Sequence, residues 1–157
     1  MATQSAAVHQ ISVPPQARSL STLARIDYAD AFVVETESAA GRTPEEWARG
    51  ILEDAPVTVR SALLSGWSAL GLKLGSPRSE RCVLGWPVKR KTGEFVLLSA
   101  GSRVGMPAEL LVKRHERGLL FCTFVRHGNP AARVMWAATE PVHVSVVRRV
   151  LAGAVNN

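Results

Sequence analysis

A chain of 157 residues, 46% hydrophobic and 20% charged, has the length and composition of one globular domain with a buried core. Its apolar runs are too short to cross a bilayer, and its N-terminus lacks the basic start and apolar core of a secretory signal, so the expected setting is the cytoplasm. The net charge of +6 is uneven: residues 27–54 hold eight of the thirteen acids, whereas residues 55–157 carry fifteen basic against five acidic residues.

In chain order, residues 1–25 contain no acid, carry two adjacent prolines and show no sustained periodicity, which predicts a flexible arm, with the domain itself spanning 26–157. "RIDYADAFVVETE" reads as a strand on which Tyr28 and Asp30 share a face, inward or outward. In "AAGRTPEEWARG", Thr43 is a helix cap followed by proline and two acids. A second helix fits "PVTVRSALLSGWSALGL", with Val59, Leu63, Trp67 and Leu70 on one side and Gly71 at its end.

From residue 80 the period becomes extended, and turn signals at "KRKTG", "SRVG", "HERG" and "HGNP" predict five strands in a meander. Two-residue loops at Glu116–Arg117 and Gly128–Asn129 set Val112 opposite Phe121, Leu110 opposite Thr123, Phe121 opposite Trp136 and Thr123 opposite Val134. A turn at Arg103–Val104 sets Leu97 opposite Leu110 and Ser99 opposite Ala108. One face then collects Trp86, Leu97, Ser99, Leu110, Phe121, Thr123, Val134 and Trp136, and the other Glu94, Glu109, Lys113, Arg126 and Arg133. A last helix starts at Thr139 with Pro141 in its first turn, and His143, Val146, Val147, Val150, Leu151 and Ala154 form a stripe to cover the inner face.

The fold class that results is α+β, an antiparallel sheet of about six strands around a long C-terminal helix, with two short helices after the first strand. This order resembles the START-like helix-grip superfamily, which includes polyketide cyclase-like and lipid-binding proteins, and within it an uncharacterised bacterial family. "DYADAF", "VRSALLSGWSALGLKLG" and "ARVMWAATEPVHVSVVRRVLAGA" carry the resemblance, over residues 26–154. It implies a cavity between helix and sheet that holds a hydrophobic ligand, and supplies no catalytic motif. The compressed segment 72–94 departs from the pattern and points to a small or packed cavity.

The leading expectation is therefore binding of a small, lipid- or polyketide-like molecule by Trp86, Leu97, Ser99, Leu110, Phe121, Thr123, Val134, Trp136, His143 and Val147. The alternative is a cyclase- or dehydratase-like enzyme in which His143 moves a proton and Asp30, if inward, or Thr123 orients it or the substrate. A second alternative uses the basic region on an acidic protein or nucleic acid, although its charges fall at expected turns and on the wet face of the last helix and lack aromatic platforms, which disfavours nucleic acid. Self-association stays open. Cys82 and Cys122 read as small buried thiols rather than a disulfide or metal site, and no glycine-rich stretch has phosphate-cradle spacing, so neither metal nor cofactor is expected.

Overall fold

The computed structural model describes residues 8–155 of the chain. The first strand, β1 (Val8–Ile11), is followed by the single turn α1 (Pro15–Arg18), the long strand β2 (Tyr28–Glu35), α2 (Pro44–Leu52) and α3 (Val57–Ala69). Two short strands, β3 (Leu72–Lys73) and β4 (Cys82–Val83), precede a meander of β5 (Trp86–Lys91), β6 (Phe95–Ser102), β7 (Ala108–His115) and β8 (Gly118–Val125). The chain ends in α4 (Pro130–Val155). The architecture is α+β, an open antiparallel sheet ordered β1-β2-β8-β7-β6-β5-β4, with β3 paired to β6.

Local signals explain the helices after β2. Thr43 accepts from the Glu46 amide and Glu46 reaches back to the Thr43 amide, a capping box that fixes the start of α2. Gly71, at φ 79°, ends α3 in a conformation that costs a side chain-bearing residue strain. Arg114 then fastens the sheet to the loop before α2 by donating to the carbonyls of Ala39 and Arg42 at 3.1 and 2.9 Å, and holds the β5–β6 turn through the Gly93 carbonyl at 2.9 Å.

Strand pairing follows the sequence at one hairpin and departs at the next. Glu116 and Arg117 form the β7–β8 loop, so Val112 faces Phe121 and Leu110 faces Thr123 as expected. Gly118 there approaches the Val34 carbonyl so closely that a Cβ would lie 2.2 Å from it. The β6–β7 loop is longer than a two-residue turn, and Leu97 pairs with Leu111 and Ser99 with Glu109. A slip of one residue inverts a strand, so Leu97 and Ser99 lie on the opposite face from Leu110, and Val96, Leu98 and Ala100 take the inner positions. A bulge between Val88 and Arg90 returns Trp86 to the inner face.

The expected fifth meander strand is helix instead. Asn129 accepts from the Ala132 amide at 2.8 Å and Pro130 opens the first turn, so α4 begins nine residues before Thr139 would have started it. Pro141 lies inside this 26-residue helix. Trp136 and Val134 are therefore helical and have no strand partners in β8; Trp136 is buried, whereas Val134 is 70% exposed and removed from any site on the sheet.

The arm is docked over its described part. β1 pairs with β2, and Ile11, Val13, Ala17, Leu20 and Leu23 pack on Leu97, Leu111, Leu120 and Phe124 of the outer sheet face. Glu109, expected to face water, is fully buried there and accepts from the Ser21 hydroxyl at 2.6 Å and from the amide and hydroxyl of Thr22. The expectation of a flexible segment fails for residues 8–25, because its scattered apolar side chains cover a sheet face too hydrophobic to stand in water; residues 1–7 lie outside the described part. Helices cover one face, the arm the other, and each side has its own core.

Cys122 belongs to the outer core, where burial first and the nearby Asp30 carboxylate second push its thiol up to about 12. The thiolate is the reactive form, so a Cys82→Ser variant should resist iodoacetamide at pH 8 until denaturant is added. The folded state holds this proton more tightly than the unfolded chain, so its contribution to stability is complete below pH 9 and is lost as pH rises towards 12. Fast alkylation without denaturant would show that the outer core opens readily.

Candidate functional site

Asp30 sits mid-strand on the inner face of β2, 3% exposed, and its register partner on β8 is Thr123, also 3% exposed. Tyr28, two residues earlier on the same face, donates its phenolic O–H to Asp30 Oδ2 at 2.6 Å. His143, on the sheet-facing side of α4, places Nε2 3.0 Å from the same oxygen. The inward orientation of Asp30 is thus the one adopted, and its carboxylate ties the last helix to the second strand across 113 residues of sequence.

Aromatic rings hold this group in place. Trp136 lies about two turns before His143 on α4, with ring centroids 5.1 Å apart, and its indole also tilts onto Tyr28 at 5.0 Å. Tyr28 meets His143 edge-on at 6.1 Å. Burial, then the hydrogen bond to Asp30, raise the Tyr28 phenol far above its ordinary value, so it remains a donor at any physiological pH. The carboxylate accepts on Oδ2 from Tyr28 and, from the tautomer with a proton on Nε2, from His143, leaving the other imidazole nitrogen as an acceptor.

Next to this group lies a small void of about 50 Å³, walled by His143, Leu110, Phe121, Trp67, Val147 and Leu151 among others. Outside it, α2, α3 and the C-terminal half of α4 enclose an apolar cleft of about 450 Å³. Ile51, Leu63, Val146 and Val150 line both spaces and form the partition between them. One wall is α3, none of whose residues is buried, so it rests on the core through half-buried Leu63, Leu64 and Trp67 alone. Trp67 in turn stands edge-on to Trp86 at 5.5 Å.

No family model, curated protein or solved structure matches the chain.

The structure brings together Asp30, His143, Thr123, Trp136, Leu110, Phe121 and Val147 on the inner side, with Trp86 farther along the sheet. It removes Leu97 and Ser99 to the arm-covered face and Val134 to solvent. Sequence reading missed the cleft walls Ile51 and Leu63; their signal was the apolar stripe of α2 and α3, whose partner was unknown until α4 was placed. The basic groups are dispersed: Arg114 is bound to backbone carbonyls, Arg117 pairs with Glu35 at 3.0 Å, Lys91 pairs with Glu45 at 3.1 Å and Arg148 donates to Gln10 at 3.2 Å. Among the described residues no helix is long and apolar enough to cross a membrane.

Proposed function

We propose that this chain is a START-like helix-grip domain that binds a small, largely apolar molecule between its C-terminal helix and the elements that face it. The supporting observation is an apolar cleft that shares four wall residues with a small void beside it, whose far wall carries His143. The void alone is too small for a ligand, since small-molecule sites usually span about 300–1,000 Å³. The cleft falls in that range, and an outward shift of the lightly seated α3 joins the two.

Native mass spectrometry of protein purified from cells tests the reading. The wild type should retain an apolar small molecule, and Val150→Trp, which fills the partition, should release it and lower affinity for an apolar probe at least about tenfold, or about 1.4 kcal/mol. A wild type that carries nothing and takes up no apolar probe sinks the proposal.

A second reading, proton transfer on the bound molecule, is favoured by the His143–Asp30 pair. Under it, His143→Gln keeps binding and loses turnover by roughly 10²–10⁴-fold; under simple carriage, the same variant changes neither ligand retention nor ligand chemistry.

A further inference from the structure

Three side chains that meet around Asp30 keep a buried polar atom without a partner among the described residues: Oδ1 of Asp30, Oγ1 of Thr123 and Nε1 of Trp136. All three residues are at least nine-tenths buried, at 3%, 3% and 5% exposure. Thr123 reaches Asp30 from the adjacent strand as its register partner, about 4.5–5.5 Å away between Cα atoms. Trp136 reaches it from the helix, packed on both residues that bind the other carboxylate oxygen. Leaving such atoms bare costs about 1–3 kcal/mol each, so each calls for a partner, and one group bound beside Asp30 is the simplest that serves all three.

Their chemistry selects that group. Oδ1 of a carboxylate accepts only, the indole N–H donates only, and the threonine hydroxyl does either. A hydroxyl offers one donor and two lone pairs: its proton goes to Asp30 Oδ1, and its oxygen accepts from Trp136 Nε1 and Thr123 Oγ1. An ether or ketone leaves Oδ1 bare, a carboxylate meets the Asp30 charge, and an ammonium has nothing to accept the indole proton. His143, which lines the void and bonds Asp30, joins this polar corner to the apolar space.

We propose that Asp30, Thr123 and Trp136 form a subsite for a neutral hydroxyl, so that the preferred ligand is an apolar ring or chain bearing an alcohol or phenol. This assignment rests on the ligand-binding reading above and names the ligand's head group.

Equilibrium dialysis of the full chain with 2-naphthol, 2-methoxynaphthalene and 2-naphthoate tests it. The wild type should bind 2-naphthol at least about tenfold more tightly than the methyl ether, with 2-naphthoate weakest. Thr123→Val, which keeps the shape, and Trp136→Phe, which keeps a smaller ring without the N–H, should each lower affinity for 2-naphthol more than affinity for the ether and so shrink the preference. Equal affinity of the wild type for naphthol and ether, or a preference that survives both substitutions, overturns the hydroxyl subsite and leaves the cleft reading standing. Binding of none of the three overturns both.

Discussion

Removal of residues 1–25 is expected to leave a chain without a cooperative unfolding transition. The arm supplies Ile11, Val13, Leu20 and Leu23 as half-buried cover and Ala17 as fully buried cover for the outer sheet face. A fully buried large aliphatic side chain contributes about 1.5–3 kcal/mol, so four at half burial contribute about 3–6 kcal/mol. The deletion also uncovers Leu97, Leu111, Leu120 and Phe124, and removes β1 from the edge of β2. Against a typical total of about 5–15 kcal/mol, the loss takes most of the stability, and the bared face favours aggregation. Circular dichroism melting of the truncated chain is the measurement. A midpoint within about 5 °C of the full chain, equivalent to about 1–2 kcal/mol at this size, would reject the arm as structural cover. Glu109→Gln is the gentler companion: it keeps the shape and weakens three hydrogen bonds to the arm, for about 1–3 kcal/mol.

The arm shows where sequence reading stopped. Its signals were proline and the absence of acids, which describe the arm's own poor capacity to fold and say nothing of the surface it covers. That surface was visible in β8, "GLLFCTFV", where both faces are apolar and every residue is buried; a strand apolar on both sides requires cover on both sides. Thr43, Gly71 and the Glu116–Arg117 loop were legible because each acts within a few residues. The β6 register was not, since it depends on the length of the loop to β7, and one residue there exchanges Leu97 and Ser99 for Leu98 and Ala100. Gly128–Asn129 reads as a hairpin loop, although Asn129 followed by Pro130 is equally a sound helix start; the eight residues that follow pack Ala132 and Trp136 four apart, which is helical spacing. His143 survived that error because its stripe with Val147, Val150 and Leu151 lies wholly within the helix and does not depend on where it begins.

Trp136→Ala should cost about 3–5 kcal/mol in chemical denaturation, as expected for a large aromatic side chain removed from a site 5% exposed. The indole carries more than area: it packs at a tilt against Tyr28 and His143 at 5.0 and 5.1 Å, so its loss opens a cavity beside the carboxylate they share. Trp136→Phe separates ring from N–H. Because Nε1 has no partner among the described residues, phenylalanine forfeits no protein hydrogen bond and removes a bare donor, an offset to the smaller ring that should hold the cost to about 1 kcal/mol. The helix and its contact with β2 then persist while the proposed hydroxyl subsite loses one of its two donors. Should phenylalanine instead cost as much as alanine, the indole N–H already has a strong partner in the ligand-free protein. The three bare atoms around Asp30 would then be two, and a single hydroxyl would no longer be the group that fits them.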